Sequence, residues 1–324
     1  MVNGVRKGRI LAVVGPTAGG KTALAVELAL RLGGEVVSCD SMQIYRGMDI
    51  GTAKPTKEEM RGVAHHLLDI VEPEEAFSVC DYVSAATAAA EEILSRGKLP
   101  VFCGGTGLYL DAFLRGGVAQ TPGGDPALRA SLAASAAGDG GAALFAELER
   151  CDPATAAAVH PNNLRRVIRA VEIFRLTGVP KSEWDRRSRE VPPGYDATVL
   201  GLSYADRALL AARIAARVDE MLAAGLVEET RRLAARGVFE NSPTAAAAIG
   251  YKELLPYLRG ECTLGEATER LKIATRQYAK RQITWFSAKE YVTWIPADEG
   301  GMPKKFEEIV NNALAICRAR GIMI

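Results

Sequence analysis

Every position from Ile10 to Val14 is apolar, a run too short for a helix and of the kind that lies buried inside a parallel sheet. A glycine-rich turn follows, and the spacing then predicts a helix over Lys21–Leu32, stopped by Gly33-Gly34. Val36-Val37-Ser38-Cys39 is a second predicted strand. An alanine-rich helix containing Ile93 leads to a third, Val101-Phe102-Cys103, which ends at Gly104-Gly105. Strands alternating with helices imply a parallel sheet covered on both faces.

The pattern changes from about Gly116 to Tyr195, where only helical signals occur. Asp125-Pro126 and Asp152-Pro153 each pair a capping carboxylate with proline at the first helical position. Gly138-Asp139-Gly140-Gly141 breaks the alanine-rich stretch, and Asn163 is placed to cap a helix through Leu176 that ends at Gly178. Strand character returns at Ala197–Leu202. Asp206 caps a long helix that Gly225 interrupts, Thr263 with Glu266 fits a capping box for a helix to about Ser287, and Tyr291–Ile295 is a late strand. The predicted fold class is α/β, a P-loop NTPase-like parallel sheet flanked by helices, carrying an all-helical insertion domain. Its expected limits are 1–118 and 197–324 for the core and 119–196 for the insertion, bounded by Thr121-Pro122-Gly123-Gly124 and Pro192-Pro193-Gly194.

A chain of 324 residues is long enough for two such units. Its net charge of +1 gives no overall field to steer it to nucleic acid, so any RNA contact must come from a local patch. The six cysteines are scattered without a Cys-x-x-Cys pair, which speaks for reduced thiols and against zinc. His65 and His66 have no partner at ligand spacing and read as structural, and Trp285 and Trp294 read as core. No secretory signal or membrane-length span appears, so a soluble cytoplasmic protein without a membrane partner is expected.

Chemistry enters at Gly15-Pro16-Thr17-Ala18-Gly19-Gly20-Lys21-Thr22, which fits G-x-x-x-x-G-K-[ST] between a strand and a helix. Such a loop turns several backbone N–H groups onto one polyphosphate at a helix N-terminus. Lys21 can reach the outer phosphate, and the Thr22 hydroxyl can serve Mg²⁺. Asp40 follows the second strand, on the ligand side of an open α/β sheet. By itself it reads as a Mg²⁺ holder, a general base or a turn residue. Arg165, Arg166 and Arg169 cluster on one helix, with Glu172 available to Arg169, and Lys272, Arg276 and Lys280 recur every four residues on another. Charge pattern alone makes both stripes solvated faces.

The run Asp40-Ser41-Met42-Gln43-Ile44-Tyr45, then Gly47-Met48-Asp49-Ile50-Gly51-Thr52-Ala53-Lys54-Pro55, resembles the tRNA dimethylallyltransferase family when taken with the phosphate loop. His65–Ile70, Gly104–Tyr109, His160-Pro161-Asn162-Asn163 with Arg165, Arg166 and Arg169, Ile249–Glu253 and Arg276–Trp285 continue the match in family order. The resemblance implies that Gly15, Thr17, Ala18, Gly19, Gly20, Lys21 and Thr22 hold the diphosphate of dimethylallyl diphosphate, rather than ATP. It implies Asp40 as base toward N6 of adenosine at tRNA position 37, and Thr106 as a hydrogen-bond partner in the reaction channel. Contacts to the tRNA anticodon stem-loop are implied for Asp40, Ser41, Met42, Gln43, Thr106, Arg129 and the stretch Arg165, Arg166, Val167, Ile168 and Arg169. The expected cofactor is Mg²⁺ and the expected state a monomer. Gly19 departs from the family, where many members carry serine, and Arg165 stands where some have glutamine. A P-loop small-molecule kinase leaves the Asp40–Pro55 run unexplained, a non-catalytic RNA-binding module leaves the phosphate loop without a purpose, and a prenyltransferase for free adenine nucleotides has no use for a basic insertion.

Overall fold

A computed structural model describes residues 8–115, 123–190 and 193–322. The predicted boundary residues Gly116, Thr121, Pro122 and Pro192 and the start Met1–Lys7 lie outside them. The chain divides into two compact units, Val5–Leu114 with Tyr195–Ile324, and Arg115–Gly194.

The larger unit holds one six-stranded sheet formed by β1 (Arg9–Val14), β2 (Gly34–Ser38), β3 (His65–His66), β4 (Leu99–Cys103), β5 (Asp196–Ser203) and β6 (Val292–Pro296). The order is β3-β2-β4-β1-β5-β6 and all neighbours are parallel, with Leu11 opposite both Val101 and Thr198. Parallel pairing puts every strand's carboxyl end on one edge, so the turns after β1, β2 and β4 meet there. The strands are apolar on both faces because helices cover both, and Ile10–Val13 are fully buried. Helix Lys21–Leu32 packs Leu24, Leu28 and Ala29 into the same core as Val310 and Ala313 of helix Phe306–Ala319. A second core gathers Ile44, Tyr45 and Met48 with Leu226, Tyr251 and Leu271.

The predicted caps are present in this unit. Asp206 accepts from the N–H groups of Ala208 and Leu209, Gly225 lies at φ 102° where the two helices part, and Thr263 with Glu266 closes a capping box. β3 was not foreseen. Two residues are too few for a periodicity, and this edge strand exists only through pairing with Val36 and Val37. Its His66 bonds the buried Glu35 carboxylate at 2.7 Å, and His65 Nδ1 lies 2.8 Å from the Val63 carbonyl. Glu35, His66 and Glu92 lie close enough to share a cation, but Arg96 and Lys98 already pair with Glu35, so the structural reading of the histidines holds. Trp285 and Trp294 are partly buried.

The described residues 123–190 of the smaller unit form helices Pro126–Asp139, Ala142–Cys151, Pro153–Ala158, Leu164–Thr177 and Lys181–Glu190 around Leu132, Leu148, Val167 and Val171. Asp125 and Asp152 cap as predicted. Asn163 occupies its cap position, but its side chain makes no capping bond. No helix among the described residues is long and apolar enough to cross a membrane.

Candidate active site

The turn after β1 carries positive φ at Gly15, Ala18 and Gly20, a winding that turns successive N–H groups toward a common point. Its carbonyls face other ways. Arg213 Nε donates to Ala18 O at 2.9 Å, the Tyr204 hydroxyl to Gly19 O at 3.1 Å and Lys21 Nζ to Pro16 O at 2.8 Å. Gly20 leads into the helix without a side-chain cap, so the first-turn N–H groups remain available to an anion.

Asp40 sits where β2 ends. Its Oδ1 accepts from Met42 N–H at 2.9 Å, which fixes the carboxylate's orientation. The turn after β4 presses against the same residues, with Thr106 N–H donating to Cys39 O and Ser41 N–H donating to Thr106 Oγ1 at 3.1 Å. Only glycine permits that approach at 104, where a Cβ would lie 2.0 Å from the Cys39 carbonyl oxygen. Asp40, Lys21 and Thr22 line one cavity with Thr17, Gln43, Thr52, Ala53, Cys103, Gly104, Arg217, Tyr278 and Gln282.

Burial dominates the electrostatics of this cavity. It pushes the Asp40 carboxyl above the usual aspartate range, against the Met42 N–H and the Lys21 charge. It lowers Lys21 to about 8 and also depresses the Arg217 guanidinium. The thiols beside them are held protonated, Cys103 at about 11 and Cys39 at about 12. Neither Lys21 nor Arg217 forms an ion pair among the described residues. Two desolvated cations lacking a carboxylate partner favour an incoming anion.

Arg217, Gln282 and Tyr278 were not predicted as site residues. Arg217 follows Arg213 by one helical turn on helix Arg207–Ala223, a spacing that looks like an ordinary surface stripe in sequence. Gln282 straps two loops together, accepting from Thr17 N–H at 2.7 Å and donating to Gly105 O at 3.2 Å. Tyr278 lines the same cavity, and burial raises its phenol. The Arg276–Trp285 match pointed at both residues without telling their roles.

Gly15, Thr17, Ala18, Gly19, Gly20, Lys21, Thr22, Asp40, Ser41, Met42, Gln43 and Thr106 therefore gather at one edge of the sheet. The remaining predicted residues belong to the smaller unit. Arg165 and Arg166 are exposed, whereas Arg129 and Arg169 both bind the fully buried Glu172. The side chains of Val167 and Ile168 lie in the unit's core, because a helix cannot present five successive residues to one face. On helix Leu264–Ser287, Lys272 pairs with Asp219, while Arg276 and Lys280 are exposed.

This arrangement of phosphate loop and facing carboxylate has close counterparts. The profile of the IPP transferase family matches residues 43–289, and that of the isopentenyl transferases residues 8–76. The chain belongs to the IPP transferase family. A tRNA dimethylallyltransferase of Geobacillus kaustophilus is 50% identical over 93% of this chain and 95% of its own. One from Halalkalibacterium halodurans is 48% identical, over 94% and 96%. Among solved structures, the tRNA isopentenylpyrophosphate transferase of Bacillus halodurans superposes with a TM-score of 0.69 at 45% identity, covering 97% of this chain and 98% of that one. A eukaryotic dimethylallyltransferase acting on tRNA gives 0.81 at 29% identity, over 96% and 78%. In this family member the P-loop NTPase-like sheet is retained, with Asp40 and Lys21 lining one cavity.

Proposed function

We propose that this enzyme transfers the dimethylallyl group of dimethylallyl diphosphate to N6 of adenosine at position 37 of tRNA, beside the anticodon, releasing diphosphate. The observation that carries the reading is the meeting, in one cavity, of an anion cradle with the Asp40 carboxylate, which forms no ion pair among the described residues and is held by the Met42 N–H. The exocyclic amine of adenine is a weak nucleophile because its lone pair is delocalised into the ring. As that nitrogen attacks C1 of the donor, the C1–O bond breaks and its electron pair leaves with the diphosphate. Asp40 takes the N6 proton, and its raised pKa makes it a better acceptor. The loop N–H groups, Lys21 and Arg217 meet the charge developing on the leaving group. Thr106, held by the Ser41 N–H, is assigned as the hydrogen-bond partner in the reaction channel.

The ligand available for a cation suits Mg²⁺, since Thr22 offers a hydroxyl oxygen on the cradle side while the neighbouring Cys103 thiol stays protonated. When bound there, Mg²⁺ would supply Lewis-acid stabilisation of the departing diphosphate. The adenine must leave the anticodon stack to enter so narrow a site, which is the usual solution for chemistry on a base. Within the smaller unit, Arg115–Gly194, we assign RNA contact to Arg165 and Arg166, the exposed arginines of the predicted stretch, with Arg129 and Arg169 as a bracing pair around Glu172.

Incubation of labelled dimethylallyl diphosphate with an unmodified anticodon stem-loop tests the proposal. N6-dimethylallyladenosine in the RNA, with one diphosphate released per transfer, is expected. Transfer to AMP but not to RNA, or consumption of ATP with a phosphorylated product, would overturn it. Arg166→Ala should weaken stem-loop binding and reduce the slope of log K against log salt by roughly 0.7–0.9. A salt titration of the wild type and the variant checks this, and an unaltered slope removes Arg166 from phosphate contact.

A further inference from the structure

Glu229 is the most costly polar group in the second core. It is 1% exposed and no cation pairs with it among the described residues. Its charge is met instead by four donors. Oε2 accepts from the backbone N–H groups of Asp49 at 3.2 Å and Ile50 at 3.0 Å, and Oε1 accepts from Gly51 N–H at 3.0 Å and the Tyr251 hydroxyl at 2.7 Å. Three consecutive N–H groups converging on one carboxylate form an anion nest whose occupant is part of the protein. A buried carboxylate is tolerated only when its lone pairs are filled in this way.

The nest grips a loop that continues directly into the cavity. One and two residues beyond Gly51, the carbonyls of Thr52 and Ala53 accept from Gln43 Nε2 at 3.3 and 3.1 Å. Ser38 Oγ donates to Gln43 Oε1 at 3.0 Å, so both ends of that amide are fixed. Gln43, Thr52 and Ala53 all line the cavity that holds Asp40. Tyr251 adds a steric constraint, because a Cβ on residue 51 would lie 2.4 Å from its ring and only glycine lets the loop rest there. Burial beside Glu229 also raises the Tyr251 phenol far above its usual range, which keeps it a donor. The Ile249–Glu253 segment thereby gains a purpose that the transfer chemistry did not assign to it.

We propose that Glu229 and Tyr251 are positioning residues for the acceptor: through the 49–53 loop they set the Gln43 amide and the Ala53 wall against which the incoming adenosine is held. The inference rests on the transfer function proposed above. It predicts a one-sided defect, since the N–H groups of the donor's cradle belong to the 15–22 loop, which Ala53 borders without building it. In Glu229→Gln, one carboxylate oxygen becomes an NH₂ group facing N–H donors, so the loop is released while volume and packing are kept. A displacement of about 1 Å at a reacting group can cost 10²-fold. In Glu229→Gln, kcat/KM for the anticodon stem-loop should fall about 10–100-fold, while the Kd for inorganic diphosphate stays at the wild-type value. Tyr251→Phe keeps the ring and loses one donor, so it should show the same one-sided loss in smaller measure.

Steady-state kinetics with varied stem-loop and calorimetric binding of diphosphate, both corrected for the folded fraction by thermal melting, read the two sides separately. A purely structural role gives less folded protein whose kcat/KM is normal, or equal losses on both substrates, and either result overturns the inference. So does failure of both variants to fold. An inactive wild type would instead sink the transfer function itself, while an active wild type matched by Glu229→Gln would sink only this proposal.

Discussion

Asp40→Asn is expected to lower turnover by about 10²–10⁴-fold, the range a positioned general base supplies. Asparagine is close to isosteric and retains an oxygen for the Met42 N–H, so the turn after β2 keeps its shape. What it lacks is basicity. Stem-loop binding and diphosphate binding should both survive, which separates loss of proton transfer from loss of fold. The pH profile sharpens the test. Because burial raises the Asp40 pKa in the free enzyme, the acid limb of the wild-type kcat/KM profile should lie above the ordinary aspartate range and disappear in the variant. Rapid-quench turnover across pH measures both quantities, and undiminished turnover in Asp40→Asn would remove the carboxylate from its role.

Lys21→Met should cost about 10²–10³-fold in kcat, as loss of one preorganised donor to a developing anion typically does. The wild type carries a related signature. Its Lys21 titrates at about 8, so above that pH the unliganded amine is neutral. A bound diphosphate stabilises the ammonium, and binding must therefore take up a proton at high pH. Linkage then makes diphosphate affinity fall more steeply above pH 8 in the wild type than in Lys21→Met, the Lys21 contribution being up to about tenfold per unit on top of the ligand's own titration. Calorimetry in buffers of different ionisation enthalpy, with chelator present to exclude divalent ions, counts that proton directly. Equal slopes in the two proteins would contradict the assignment.

The features visible in the sequence were those encoded over a few neighbouring residues. The spacing from Gly15 to Thr22 defines a loop, Asp125, Asp152 and Asp206 cap because a carboxylate precedes a helix, and the apolar run at Ile10 needs no tertiary context. Features built by distant segments stayed hidden. Arg217 reads as one more helical arginine until burial strips its water, and Gln282 gains its role only because Thr17 and Gly105 converge on it from loops far apart in the chain. Glu229 resembles any first-turn helix acid, and its worth depends on a loop nearly two hundred residues upstream. The orientation of Val167 and Ile168 was hidden for another reason. A contiguous stretch carried over by resemblance ignores the helical period, which sends those two side chains inward while the arginines face out.

The central claim is a geometric one, that the attacking nitrogen beside Asp40 and the diphosphate in its cradle approach C1 from opposite sides. A donor made chiral at C1 with deuterium tests it most directly. Analysis of the prenylated adenosine recovered from the stem-loop should find inverted configuration at that carbon. Retained or scrambled configuration would contradict an in-line displacement across this cavity.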